Sequence, residues 1–130
     1  LAAIAGKALK EARYHLAHAA QWAVRLGDGT EISAARMRAA LDRAAPYVAE
    51  MFADDECDEH AAAAKLGPRR SELRSAWEQE IGAVLAEAKL SMPAAGQYIS
   101  TGSRGVHSEH MGFILAEMQS LQRAYPGGRW

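Results

Sequence analysis

Alanine fills roughly a fifth of this chain, far above ordinary usage. No other feature constrains the fold as strongly. Alanine has the highest intrinsic helix propensity, whereas β-branched residues build strands, and valine, isoleucine and threonine are scarce here. The chain is expected to be all-α. With 130 residues and 49% hydrophobic content it suits one globular unit.

Apolar spacing places four main helices. The first is expected from about Ala2 to Leu26, with Ala5, Leu9, Ala12, Leu16, Ala19 and Ala23 on its buried stripe. Gly27-Asp28-Gly29 stops it, glycine being the residue that takes a left-handed helix end without strain. Thr30 caps the second helix, and Glu31 suits its positive N-terminal dipole. Ile32, Ala35, Leu41, Ala44, Val48 and Phe52 mark its inner face, with a kink expected at Pro46. Asp54 to His60 reads as an acidic, solvated linker. It lacks the glycine turn and ligand spacing of a calcium loop. A short turn over Ala61 to Leu66 follows. The third helix is expected over about Arg70 to Leu90, with Leu73, Trp77, Ile81, Val84 and Ala88 inward. Residues 91–106 form the long loop, and the fourth helix spans about Ser108 to Tyr125 with Met111, Ile114, Met118, Leu121 and Tyr125 on one face. Trp22, Trp77 and Trp130 are expected as core or interface anchors, and Met111 and Met118 as core.

Charge and cysteine content narrow the function. The formal charge of -1 speaks against a nucleic-acid surface. No apolar run approaches the roughly 20 residues that cross a bilayer. Cys57 is the one cysteine, so no internal disulfide forms, and a reducing, cytoplasmic home is expected. Leu1 to Leu9 lacks a basic start and an initiating Met, and is expected to be an internal cut in a longer chain, not a signal peptide.

Two helices carry ionisable residues at same-face spacing: Glu11, His15 and His18 on the first, then His107, His110 and Glu117 near the last. Di-iron carboxylate bundles use Glu-x-x-His on each of two helices. That spacing fails here, because Tyr14 stands three residues after Glu11, Gly112 three after Glu109 and Ser120 three after Glu117. A looser site remains open, beside the plainer reading of surface polar groups. The pair Glu11 and His15 is expected to make a polar contact across one helical turn. Cys57 sits among acids that suppress its thiolate, and no nucleophile motif surrounds Ser103 or Ser108. Gly102-Ser103-Arg104-Gly105 is either an anion cradle or a plain flexible loop; it lacks the Walker lysine.

At these same residues the chain resembles a known family. Lys10 to His15 and Arg25 to Thr30 carry part of the likeness. Thr101 to Gly112, Leu115 to Gln119, Leu121 to Arg123 and Pro126 to Trp130 carry the densest part, with Leu41-Asp42 and Trp77 between. These stretches resemble the structural subunits of the ring-1,2-phenylacetyl-CoA epoxidase, a family of phenylacetic acid degradation proteins. The resemblance implies a ferritin-like helical bundle, of which residues 1–130 are the C-terminal half. It implies a multicomponent monooxygenase that epoxidises the ring of phenylacetyl-CoA. It places the di-iron centre in a catalytic partner subunit, with no cofactor in this one. Glu11, Tyr14, His15 and His18 then read as a degenerate site. Arg104, His107, Glu109, His110 and Glu117 are candidates for contact with the catalytic and other epoxidase subunits.

Three functions remain in play: a non-catalytic scaffold subunit of the oxygenase, a di-metal ferritin-like oxygenase in its own right, and a plain oligomerisation module. An enzyme should bring at least two carboxylates and two histidines into coordination reach. With half a bundle missing, uncovered apolar surface is expected to make the fragment self-associate.

Overall fold

A computed structural model describes residues 2–94, 96 and 99–129. Leu1, Ala95, Gln97, Tyr98 and Trp130 lie outside the described residues, and with Trp130 its expected role as an anchor. The described residues are helical and contain no strand. Six α-helices appear where the apolar spacing predicts four: α1 (Ala2–Gly27), α2 (Glu31–Ala44), α3 (Glu56–Ala63), α4 (Arg74–Glu87), α5 (His110–Met118) and α6 (Ser120–Ala124). This is the all-α, ferritin-like class of architecture.

The extra helices have local causes. Pro46 ends α2 outright, since it lacks an amide donor and crowds the preceding turn. The chain continues as 3-10 turns at Ala45–Tyr47 and Ala49–Phe52 instead of a kinked α-helix. The acidic stretch is mostly exposed, as expected, but it is an organised helix start and not a linker. Asp55 accepts from the amides of Cys57 (2.8 Å) and Asp58 (3.1 Å), and Asp58 accepts from the Asp55 amide at 2.9 Å, a reciprocal capping box. The expected single last helix breaks at Gln119, where the Ser120 hydroxyl donates to the Glu117 carbonyl at 2.9 Å and competes with the helical ladder. Thr30 caps α2 as expected, accepting from the Ser33 amide at 3.2 Å.

The core is small and sits where α1, α2 and α4 meet. Leu85, Ala88 and Leu90 are buried, with Val24, Met37, Leu41 and Ile81 packed partly against them. Lys89 takes a left-handed conformation (φ 57°) that ends α4 and turns Leu90 inward, with the Leu90 amide bonded back to the Leu85 carbonyl at 2.8 Å. Lys89 also reaches Asp28 at 2.6 Å, tying the end of α4 to the α1–α2 turn. Phe52 packs on Trp77 with ring centroids 5.3 Å apart.

Gly27 is buried at this junction, and its role differs from the expected one. Neither Gly27 nor Gly29 has a positive φ. A Cβ on Gly27 would lie 2.6 Å from the Ala88 carbonyl oxygen and 2.8 Å from Leu90 Cδ1. Glycine is required for close approach, not for a left-handed turn.

The other expected stripes are largely uncovered. Leu9, Leu16, Ile32, Ile114 and Leu121 are exposed, and so is Met118, against the expectation of a core position. The chain exposes 10476 Å². A compact protein of 14.0 kDa exposes about 6,700 Å². Half as much surface again is open, most conspicuously along α1 and α5–α6.

Gly27→Ala in the full-length protein should therefore force α1 away from α4. The expected loss is about 1–3 kcal/mol, seen as a melting temperature lowered by several degrees. An unchanged melting temperature would contradict the junction.

Candidate functional site

The polar set of α1 forms a ladder on an exposed helix face. Tyr14 meets the His15 ring edge-on at 5.7 Å and stacks on His18 at 6.0 Å. His18 meets Trp22 at 6.4 Å, and the Arg25 guanidinium lies 5.4 Å from the Trp22 ring centroid. The spacing of four residues puts Tyr14, His18 and Trp22 on successive turns of one face. Glu11, Tyr14, His15 and His18 are all exposed. The expected Glu11–His15 contact is absent: His15 engages Tyr14, and Glu11 has no hydrogen bond or ion pair among the described residues. Trp22, expected as an anchor, is 46% exposed.

His15 and His18 turn their rings to aromatic neighbours, and Tyr14 stands where the second ligand of the motif would be. Among the described residues no three His, Cys, Asp or Glu side chains gather as a metal-binding group.

The second set surrounds the 3-10 turn Gly102–Arg104. Arg104, His107, Glu109, His110 and Glu117 are exposed, and their side chains make no hydrogen bond or ion pair among the described residues. The stretch before α5 is an ordered turn and not a plain loop. Thr101 bridges Val106, the Arg104 amide donates to the Thr101 carbonyl at 2.9 Å, and Gly105 closes the turn at φ 86°. The base of the turn is seated on the segment after α2, with the Ser100 amide donating to the Pro46 carbonyl at 2.9 Å.

This turn does hold an anion, and the anion belongs to the chain itself. Glu50, half-buried on the 3-10 turn Ala49–Phe52, accepts from the Ser103 amide at 2.6 Å. The Ser100 hydroxyl and the amides of Ser103 and Gly102 together draw its carboxyl from 4.5 down to about 2. Glu50 is not among the residues that the sequence singles out. One acid in an apolar stretch, 53 positions from Ser103, carries no local signature of its partner.

A second acidic cluster is structural. Arg70 spans Asp58 at 2.7 Å and Asp55 at 3.0 Å, and Arg69 reaches Glu72 at 2.9 Å. Asp54 accepts from the Ser71 hydroxyl and, at 2.9 Å, from its amide, which holds its carboxyl below the usual range. These contacts join α3 to the turn that leads into α4. Beside α4 lies an open, mostly apolar cleft of about 480 Å³, lined by Val48, Trp77, Ile81, Leu85, Leu90 and Met92. An Arg74–Glu78 ion pair (2.7 Å) supplies the charge at its rim. Among the described residues no helix is long and apolar enough to cross a membrane.

The Glu50 geometry makes a pH prediction. A carboxyl held below its ordinary pKa contributes stability above that ordinary value, and the contribution is lost as pH falls through the lowered one. The clamp should be intact above about 4.5 and released as pH nears about 2. Amide chemical shifts of Gly102 and Ser103 in the full-length protein should titrate near the lower value. An inflection at the ordinary glutamate value would mean that the clamp does not form.

Comparison with known proteins places this arrangement. The profile of the phenylacetic acid catabolic protein family matches residues 1–130. The chain is 44% identical over 130 residues to a protein of Escherichia coli (strain K12) that is named as a component of the 1,2-phenylacetyl-CoA epoxidase. That match covers 100% of this chain and 52% of the relative, so the chain spans about half the relative's length. A match from the first residue to the last, on an all-α fold, shows that the chain belongs to the phenylacetic acid catabolic protein family.

Proposed function

We propose that this chain is part of a non-catalytic structural subunit of a multicomponent monooxygenase that epoxidises phenylacetyl-CoA in phenylacetate catabolism. The observation that carries the reading is the 44% identity, along the whole chain, to a protein named as an epoxidase subunit. The scaffold role draws on the α1 residues. Tyr14 stands three residues after Glu11, where the Glu-x-x-His spacing calls for histidine. In this reading the di-iron centre belongs to a catalytic partner, and the complex works in the cytoplasm.

Assembly is also the reading that the surface favours. Half as much area again is open as a compact protein of this mass would leave. Obligate interfaces commonly bury about 2,000–5,000 Å² in total, or about 1,000–2,500 Å² on each partner, so the excess is more than one such interface would cover. Part of it faces the rest of the subunit and part faces partners. Alone, the 130-residue chain would associate with itself. The unpaired side chains of Arg104, His107, Glu109, His110 and Glu117 supply donors and charge for a polar partner contact.

The test is to purify the full-length subunit with the catalytic subunit, separate the two, and measure iron in each. Iron in the partner and none in this subunit is the expected result. Stoichiometric iron in this subunit alone would favour a di-metal oxygenase and overturn the scaffold role. Failure of the two proteins to co-purify would overturn the assembly reading.

A further inference from the structure

The turn at 100–106 is built in an unusual way. Apolar burial does little to hold it, because Ser103, Arg104, Gly105 and Val106 are exposed. Its internal bonds are local: Arg104 amide to Thr101 carbonyl, Gly105 amide to Gly102 carbonyl, and the Thr101–Val106 bridge. Such bonds shape a turn without saying where it sits. Among the described residues, two contacts attach it to the helical body. The first is the Ser100 amide on the Pro46 carbonyl at 2.9 Å, at the base. The second is Glu50, whose carboxylate accepts from the Ser103 amide at 2.6 Å and lies close against Gly102.

We infer that Glu50 is a positioning residue, and that its carboxylate sets the pose in which the turn presents Arg104 and His107 to a partner subunit. The inference rests on the assembly reading above for the partner, and on the clamp geometry for the mechanism. The Ser103 amide meets the carboxylate at 2.6 Å. A carboxylate can accept on either oxygen and has no proton to oppose that donor, so the charged form fits where an amide can turn its own donor against the turn. Gly102 completes the fit. A Cβ there would stand 3.1 Å from Glu50 Oε1 and 3.3 Å from His107 Nδ1. Both side chains therefore flank the same glycine, which links the clamp directly to one of the presented residues.

Arg104 supplies a direct probe, because trypsin cuts after arginine only where the backbone can unfold locally. Full-length subunits carrying Glu50→Gln, Glu50→Ala, Gly102→Ala and the control pair Arg104→Ala/His107→Ala should be compared with the wild type. The two Glu50 variants and Gly102→Ala should raise the rate of cleavage after Arg104 by about tenfold, the scale of losing a charged hydrogen bond, with the helical melting transition retained. The control pair and the Glu50 variants should all weaken co-purification with the catalytic subunit. Gln is nearly isosteric with Glu, and Gly102→Ala crowds the clamp from its other side without removing charge. One variant that fails to fold thus leaves the others to decide. Unchanged cleavage in Glu50→Gln and Gly102→Ala would overturn the clamp. Faster cleavage with full co-purification, while the control pair loses it, would overturn presentation by Glu50 and leave the assembly reading standing. Full co-purification in every variant, the control pair included, would overturn both for this surface.

Discussion

The approach of α1 to the end of α4 at Gly27 and Ala88 is the contact on which the rest of the structure depends. It joins the longest helix to the core and brings Leu85, Ala88 and Leu90 under the C-terminal turns of α1. The contact requires a residue without a Cβ on one side and a small one on the other. It also requires α4 to end in a left-handed residue, Lys89, so that Leu90 turns inward. The same lysine then reaches Asp28. Backbone proximity, chain reversal and an ion pair thus converge at one junction, and the rest of α1 projects from it with its apolar and aromatic positions open.

That openness is the main physical fact about the molecule. Helices apolar around much of their circumference belong in a core. Here α1 and α5 carry such residues with little of this chain to cover them. A chain that spans 52% of its relative's length would leave such faces for the rest of the subunit and for partners to cover. The polar elements divide along the same line. Arg70 is paired with Asp55 and Asp58, Arg69 with Glu59 and Glu72, and Asp54 with Ser71, which holds α3 to the turn that leads into α4, whereas Arg104, His107, Glu109, His110 and Glu117 are held out with no side-chain bond among the described residues.

Much of the helical class is legible in the residues, and the physical reason is local. Alanine content, the Thr30 cap and most of the stripe Leu73, Trp77, Ile81, Val84 and Ala88 are properties of neighbouring residues and appear in the structure, whereas Leu73, on the 3-10 turn before α4, is exposed. The capping box at Asp55 and Asp58 is equally local, but an exposed acidic run does not by itself announce a helix start. The effect of Pro46 is legible only in part: a missing donor predicts disruption, while tertiary contacts decide between a kink and an end. Burial on α1 and α5 departs from the expectation because a helical stripe states what a face wants to meet, not whether this chain supplies it. The Glu50 clamp is beyond local reading, because its donor, the Ser103 amide, lies 53 positions along the chain. The glycines around Ser103 admit an anion cradle, and its occupant is a side chain of the same molecule.

The central claim is that this chain serves assembly, through a surface displayed by the 100–106 turn and the start of α5. Hydrogen–deuterium exchange on the full-length subunit, free and mixed with the proposed catalytic subunit, tests it most directly. The account predicts slowed exchange on binding across residues 100–117, with the α1–α4 junction protected equally in both states. Unchanged exchange over that stretch, with new protection confined to other parts of the subunit, would contradict it.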